Sequence, residues 1–268
     1  MIEAVRWRPF TRWFQRHATG RIRSSFSALH VRGLSGLRQA ADEAPLLLIA
    51  NHSSWWDSLL ALWLSQGELP AADAYGMMDA SNLKRLRFFR WIGCFGVDLS
   101  SRRDGARAAR YALDLLTAPN RMLWVFPQGA EQPSHLPLRF MPGAAGIAKR
   151  APCVRVIPVA FSYVFAHDEQ PHAYISIGDA MSPADGSDRL AQERAVEDQR
   201  QRIQRQLETG QEGFATMFER EPSAAARFAT ACLDRFAGWL APRQAKRRAA
   251  LPSASPVDSD QPTSRAQP

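Results

Sequence analysis

The chain of 268 residues is long enough for one sizeable α/β domain with appendages. Its 34 Lys and Arg residues against 26 Asp and Glu residues give a net charge of +8, so a negatively charged partner is expected. The 3 cysteines are far apart and lack metal-ligand spacing, which excludes a disulfide framework and favours a reducing compartment. No apolar run approaches the ~20 residues of a membrane-spanning helix, and the N-terminus lacks the apolar core of a signal peptide.

Arginine and aromatic residues dominate the start of the chain. Within residues 1–40, Glu3 is opposed by a series of arginines: Arg6, Arg8, Arg12, Arg16, Arg21, Arg23, Arg32 and Arg38. Trp7, Phe10, Trp13 and Phe14 recur at helical spacing, which predicts an aromatic stripe flanked by arginine. We therefore predict amphipathic, membrane-associating helices over residues 1–32 that lie on an anionic lipid surface. The alternative is a stripe that packs on the protein core. No nucleic-acid-binding motif accompanies the basic charge, so we predict no nucleic-acid partner.

A base and a carboxylate follow the first predicted buried strand. The apolar run over residues 46–50 predicts this strand, and residues 51–57 then read Asn-His-Ser-Ser-Trp-Trp-Asp. An imidazole can take a proton from a hydroxyl near neutral pH, and a carboxylate on its other nitrogen fixes the tautomer. On a helix, His52 and Asp57 would not share a face, so we expect His52 in the turn, folded back over the first helical turn. The alternative is a surface histidine beside a helix-capping Ser53 or Ser54.

Predicted strands alternate with predicted helices after this segment. The strands are expected over residues 74–78, 95–98, 122–126, 154–164 and 173–177, and the helices over 57–65, 82–92 and 103–117. This alternation predicts an α/β fold with a single mixed sheet flanked by helices over residues 33–187. The charged pattern over 188–220 and a second apolar repeat over 223–240 predict C-terminal helices within residues 188–242. Residues 243–268 form a basic, then Pro- and Ser-rich tail that we expect to be disordered.

Three further segments complete a set of motifs. Residues 93–98 read Gly-Cys-Phe-Gly-Val-Asp and are followed by Arg102 and Arg103, residues 125–131 read Val-Phe-Pro-Gln-Gly-Ala-Glu, and residues 155–161 read Arg-Val-Ile-Pro-Val-Ala-Phe. Together with the His-x4-Asp segment, in this order, the set resembles the lysophospholipid acyltransferase family, which includes 1-acylglycerol-3-phosphate acyltransferase. The resemblance spans about residues 46–165.

The resemblance implies a mechanism of direct acyl transfer. His52 is expected to deprotonate an acceptor hydroxyl while Asp57 orients it, and the acyl group comes from acyl-CoA or acyl carrier protein. The resemblance implies no cofactor and no metal. Backbone N–H groups near Gly129 are candidates to hold the oxyanion, because glycine allows close backbone approach. The family also implies a peripheral location on the cytoplasmic face of the bacterial inner membrane.

The acceptor is expected to contact residues of the second and third motifs. The substrate-binding candidates are Arg102, Arg103, Gln128, Gly129 and Glu131. The chain departs from the family pattern at two positions: Gln128 stands where a Glu is usual, and Leu99 stands where an Arg is usual. Glu131 can supply the missing charge, or it can be a solvated loop carboxylate. A neutral Gln both donates and accepts hydrogen bonds.

Three functional hypotheses remain open. The first is acyl transfer to a lysophospholipid such as 1-acylglycerol-3-phosphate. The second is the same chemistry on a phosphate-free acceptor, such as a lyso-aminolipid or a glycosylated isoprenoid, which the identities of Gln128 and Leu99 favour. The third is a non-catalytic membrane-binding homologue, against which the intact His52 and Asp57 argue.

Overall fold

The computed structural model describes residues 1–69, 71–166, 168–221 and 232–233. Met1–Glu221 forms one compact unit, which contains the sheet and the candidate site. The predicted helix over residues 223–240, apart from Cys232 and Leu233, and the predicted tail over 243–268 lie outside the described residues.

An eight-stranded mixed sheet forms the centre of this unit. Its strands are β1 (Ala28–Arg32), β2 (Leu46–Ala50), β3 (Asp73–Asp79), β4 (Cys94–Val97), β5 (Arg121–Val125), β6 (Arg155–Val164), β7 (His172–Ile177) and β8 (Ala215–Glu219). The order across the sheet is β4-β3-β5-β2-β6-β7-β1-β8. The first five strands in that order run parallel, β7 and β1 run the opposite way, and β8 is antiparallel to β1.

Helices pack against this sheet. In the described part of the chain they are α1 (Arg8–Ser25), α2 (Leu34–Glu43), α3 (Trp56–Trp63), α4 (Ala80–Arg85), α5 (Arg102–Leu115), α6 (Gly143–Arg150), α7 (Pro183–Gly186) and α8 (Arg189–Thr209). A π-helical turn (Leu64–Glu68) follows α3, and a 3-10 helix (Arg87–Ile92) follows α4. The predicted fold class, an α/β fold with a mixed sheet flanked by helices, is confirmed.

Strand β2 is buried on both faces, which explains its uninterrupted apolar sequence. Leu46, Leu48 and Ala50 belong to the core on one face of the sheet, while Leu47 and Ile49 belong to the core on the other. Successive side chains of a strand point to opposite faces, so a strand covered on both sides needs apolar residues throughout. The first polar side chain therefore appears only where β2 ends.

Three secondary-structure predictions are corrected. The N-terminal helical region predicted for residues 1–32 ends at Ser25, because residues 28–32 form β1 between β7 and β8. The helical pattern over 188–220 ends at Thr209: Gly210 has a φ of +70°, and β8 follows. The single helix predicted over 82–92 is divided at Leu86 into α4 and the 3-10 helix.

The aromatic stripe of α1 is divided between the core and the surface. Phe10 and Phe14 are partly buried against the core, whereas Trp7 and Trp13 are 53% and 59% exposed. The ring of Phe10 also lies 5.1 Å from that of Trp91 in the 3-10 helix. The packing alternative therefore holds for part of the stripe. The exposed indoles of Trp7 and Trp13 contact the ring of Phe10 and form, together with Trp91, an aromatic surface.

Candidate active site

The candidate site lies where three neighbouring strands end. β2 pairs in parallel with β5 on one side and with β6 on the other, so the segments that follow these strands meet at one edge of the sheet. Asn51, directly after β2, is buried, and its side-chain amide donates to the Phe161 carbonyl at 3.0 Å and accepts from the Phe161 N–H at 2.8 Å. This pair of bonds fixes the chain immediately before His52.

His52 and Asp57 form the hydrogen-bonded pair that the sequence predicts. Nδ1 of His52 lies 2.9 Å from Oδ2 of Asp57. His52 lies in the turn before α3, and Asp57 lies in the first turn of that helix. Oδ2 of Asp57 also accepts from the backbone N–H groups of Ser53 at 2.7 Å and Ser54 at 2.9 Å. The carboxylate thus reaches back over the turn and holds the imidazole at the start of the helix.

The Asp57 carboxylate is completely buried and fully hydrogen-bonded. Its other oxygen, Oδ1, accepts the hydroxyl of Tyr163 at 2.5 Å. Burial raises the pKa of Tyr163 well above its usual range, and the negative charge of Asp57 raises this pKa further. The phenol therefore stays protonated and donates. A buried charge needs this degree of pairing, because an unpaired one is strongly destabilising.

The second nitrogen of His52 is the one left for a reacting group. Because a carboxylate only accepts, Nδ1 carries the proton and Nε2 has a free lone pair. The nearest carboxylate to Nε2 is that of Glu131, whose Oε1 lies 3.9 Å away on a side chain that is more than half exposed. The imidazole also stacks on the ring of Phe126, with centroids 4.5 Å apart. The ring is thus fixed on one face and open at Nε2.

Gln128 supports the backbone of His52. Oε1 of this buried glutamine accepts the His52 N–H at 2.6 Å, and its Nε2 donates to Oε1 of Gln132 at 3.1 Å. The backbone N–H of Gln132 in turn donates to the His52 carbonyl at 2.9 Å. Both backbone groups of His52 are therefore held by the loop that follows β5.

Gly129 has a left-handed backbone conformation that strains any residue with a side chain, and it lies close to two apolar side chains. Its φ is +76°, and a Cβ there would lie 2.9 Å from Cε of Met141 and 3.4 Å from Cδ1 of Leu99. Its own N–H donates to the Phe126 carbonyl at 3.0 Å, so that N–H is already bonded. The expectation that backbone N–H groups near Gly129 hold an oxyanion remains a prediction, and it now rests on the neighbouring N–H groups.

Arg102 and Arg103 lie a few residues after Leu99, whose side chain lies against Gly129. They begin α5, and their side chains are exposed. β4, which precedes them, is separated from β2 by β3 and β5. No hydrogen bond or ion pair joins either arginine to His52 or Asp57 in the described structure. Their predicted contact with an acceptor stays a prediction, whereas Gln128, Gly129 and Glu131 lie around His52.

Neither a metal-binding cluster nor a helix suited to crossing a bilayer occurs among the described residues. No group of three or more His, Cys, Asp or Glu side chains is placed to hold a metal ion among them. Within the same residues, none of the helices is both long and apolar enough to cross a bilayer.

Comparison with known families identifies the chain at family level. The family model described as Acyltransferase matches residues 29–162, half of the chain. The chain belongs to the acyltransferase family. The solved structure of the 1-acyl-sn-glycerophosphate (LPA) acyltransferase PlsC from Thermotoga maritima has a similar fold, with a TM-score of 0.54 and 18% sequence identity over 74% of this chain and 80% of that chain. Comparison with curated proteins gave no match.

The family match includes every site residue predicted for this acyltransferase. It begins in β1 and ends one residue before Tyr163. Two residues of the site were missed by sequence reasoning: Asn51, which precedes His52, and Tyr163, which lies in β6 far along the chain. Asn51 was within reach of the sequence, because a polar residue directly after a buried strand needs partners. No pattern in the sequence around Tyr163 indicated that it would contact Asp57.

Proposed function

We propose that this acyltransferase moves a fatty acyl group from acyl-CoA or acyl carrier protein to a hydroxyl of a lysophospholipid such as 1-acylglycerol-3-phosphate. The observation that carries the proposal is the His52–Asp57 pair, with Nδ1 bonded to a buried carboxylate and Nε2 open. This is the arrangement that general-base catalysis on a hydroxyl requires.

The proposed reaction is a direct transfer. Nε2 of His52 takes the proton of the acceptor hydroxyl while that oxygen attacks the thioester carbonyl carbon. The tetrahedral intermediate collapses with cleavage of the carbon–sulfur bond, and the imidazolium returns its proton to the departing thiolate. Asp57 stabilises the imidazolium during the step. The products are an oxygen ester and a free thiol, and no protein nucleophile is needed.

A phosphate-free acceptor is the second candidate, and the apolar surroundings of Gly129 favour it. Leu99, which is 47% exposed, and Met141 lie against this glycine beside the pair. Gln128 adds no charge there, and Arg102 and Arg103 make no contact with His52. A lyso-aminolipid or a glycosylated isoprenoid fits this rim, where the carboxylate of Glu131 near Nε2 of His52 would repel a phosphate. The third candidate, a non-catalytic membrane-binding homologue, leaves the fully hydrogen-bonded pair unexplained.

The acceptor and the donor are expected to reach the enzyme at an anionic membrane surface. The aromatic surface formed by Trp7, Trp13 and Trp91 lies beside exposed arginines of α1, including Arg12 and Arg16. Indole rings favour the membrane–water interface, and arginine favours anionic headgroups. These features support a peripheral location on an anionic membrane surface, and we propose, as the family resemblance implies, that this is the cytoplasmic face of the bacterial inner membrane.

An acceptor screen tests the proposal. Purified full-length protein is incubated with acyl-CoA, or with acylated carrier protein, and with lysophosphatidic acid, other lysophospholipids, a lyso-aminolipid and a glycosylated isoprenoid. Mass spectrometry then identifies the acylated products. Turnover of lysophosphatidic acid supports the first candidate, and turnover of phosphate-free acceptors alone supports the second. Absence of any product with every pair of substrates contradicts both.

A further inference from the structure

We propose that Tyr163 is a positioning residue of the His52–Asp57 pair, which it serves by holding the carboxylate oxygen that His52 does not use. Only the kinetic test of this inference rests on the proposed function, because the titration of His52 can be followed without substrate. Tyr163 lies near the end of β6, more than one hundred residues from Asp57 along the chain, and its hydroxyl donates to Oδ1 of Asp57 at 2.5 Å.

The two oxygens of Asp57 accept hydrogen bonds from different parts of the chain. Oδ2 accepts from the imidazole of His52 and from two backbone N–H groups of the turn, all of which belong to the same short segment. Oδ1 accepts from Tyr163, which belongs to the sheet. A carboxylate bonded only through one oxygen can still rotate about its side-chain torsions. The bond to the sheet removes this freedom and fixes the plane in which Oδ2 meets the imidazole.

The phenol ring of Tyr163 is itself held in place. It stacks on Phe26 with centroids 5.6 Å apart, and Phe26 makes an edge contact with Trp56 at 4.9 Å. Phe26 follows the last residue of α1, and Trp56 directly precedes Asp57. Packing therefore sets the direction from which the hydroxyl approaches Asp57, and the hydroxyl is a rigid donor.

Hydrogen bonding to Asp57 also tunes the imidazole. A donor on Oδ1 withdraws negative charge from the carboxylate, so it weakens the attraction between Asp57 and a protonated His52. The charged or titratable groups that face His52 are Asp57 from α3 and Glu131 from the loop after β5, while Tyr163 from β6 acts through Asp57. Removal of the hydroxyl should therefore favour the imidazolium and shift the titration of His52 to higher pH.

The Tyr163→Phe variant tests this in two ways. In acyl-transfer assays it should lose kcat by up to roughly 100-fold, the cost of a small misplacement of a reacting group, with KM for the acceptor changed less than twofold. The acid limb of the profile of kcat/KM against pH should move to higher pH. In the substrate-free enzyme, the midpoint of the His52 titration followed by NMR should move to higher pH.

The matched control is Tyr174→Phe. Tyr174 is a buried tyrosine of the neighbouring strand β7, and its hydroxyl has no hydrogen-bond partner in the described structure. This variant should leave kcat, the pH profile and the His52 midpoint as in the wild type. Incorporation of 3-fluorotyrosine at position 163 supplies a stronger donor of almost the same shape, and it should move the His52 midpoint to lower pH.

Each outcome decides the inference. A His52 midpoint that is unmoved in both the Tyr163→Phe and the fluorotyrosine proteins overturns it, and so does a loss of thermal stability in Tyr163→Phe with an unchanged midpoint and pH profile. If Tyr163→Phe does not fold, the fluorotyrosine protein alone carries the test. If the midpoints move as expected while the wild type acylates no acceptor, the inference stands and the proposed function fails.

Discussion

Oε1 of Gln128 accepts the backbone N–H of His52 at 2.6 Å, and this bond joins the loop after β5 to the residue that follows β2. The amide of Gln128 is used on both sides, because its Nε2 donates to Gln132. The residue at the position where a Glu is usual in the family is therefore part of the support of His52. Gln128 can therefore affect an acceptor in two ways: through its hydrogen bond to the His52 backbone, or because it carries no charge.

Two substitutions of Gln128 distinguish its hydrogen bond to the His52 backbone from its lack of charge. Gln128→Leu removes the acceptor of a buried N–H, so we expect a loss of kcat/KM of roughly 5- to 150-fold for every acceptor. Gln128→Glu keeps an oxygen for the His52 N–H, and the Gln132 amide can turn to donate to it. In the family pattern a Glu at this position would pair with an arginine that holds the acceptor phosphate, so this variant should instead raise kcat/KM for lysophosphatidic acid relative to a phosphate-free acceptor. A ratio of the two kcat/KM values that stays within twofold of the wild type would show that Gln128 has only a structural part.

Asp57→Asn should lower both activity and stability. An amide has one oxygen and one NH2 group, so its NH2 faces either His52 and the turn N–H groups or the Tyr163 hydroxyl, where the carboxylate accepted hydrogen bonds on both sides. The imidazole loses the partner that fixes its tautomer, and the expected loss of kcat is ~10²- to 10⁴-fold. Steady-state kinetics and thermal unfolding followed by circular dichroism check this. An Asp57→Asn enzyme with wild-type kcat would exclude an orienting role for Asp57.

The exposed indoles of α1 should contribute to vesicle binding. Removal of residues 1–30 would be a poor test, because it removes most of β1 and the fully buried Ile22. The double variant Trp7→Ser, Trp13→Ser changes only exposed side chains, so the fold should be retained. We expect weaker co-sedimentation with phosphatidylglycerol-containing vesicles, and a further decrease at high salt as the arginine contribution is screened.

The control for vesicle binding lies on another helix. Leu190→Ser and Leu207→Ser change exposed apolar residues of α8 and should leave vesicle binding as it is. Equal losses in the two double variants would indicate a general effect of surface hydrophobicity. Binding that is unchanged in the tryptophan variant would remove the case for a membrane contact through α1.

His30 should make stability depend on pH. Burial lowers the pKa of His30 below its usual 6.5, and neighbouring His172 lowers it further, while Glu219 opposes them. The unfolded chain therefore binds this proton at a higher pH than the folded chain, so stability falls as the pH drops through about 6.5 and the loss is complete below the folded pKa. His30→Gln should flatten this part of the curve in urea unfolding, and the exposed His135→Gln should not. Parallel curves for His30→Gln and the wild type would contradict this assignment.

The sequence predicted the elements whose pattern is local. The short run of apolar residues in β2 is typical of a strand buried on both faces, and His52 follows it directly, so the turn and the contact with Asp57 could be anticipated from spacing. β1 and β8 were missed because they are short and their burial depends on each other and on β7. The predicted helices were extended across both strands, whereas in the structure the helices end before them, at Ser25 and Thr209.

The part of the site that the sequence could not predict depends on contacts distant along the chain. The bond from Tyr163 to Asp57 exists because β6 lies beside β2, and strand order is a property of the whole sheet. The bond from Gln128 to the His52 backbone depends in the same way on β5. Arg102 and Arg103 were predicted from their place after a motif; they begin α5, and their contact with an acceptor stays a prediction.

The most direct test of the account is acyl transfer by His52→Ala. The variant is compared with the wild type and with His135→Ala, which changes an exposed histidine, on the acceptor that the wild type acylates best. Product formation from acyl-CoA is followed by mass spectrometry, and folding is checked by circular dichroism. We expect His135→Ala to retain activity and the folded His52→Ala variant to lose kcat by ~10²- to 10⁴-fold. Wild-type turnover by His52→Ala would contradict the assignment of His52 as the base and the proposed mechanism.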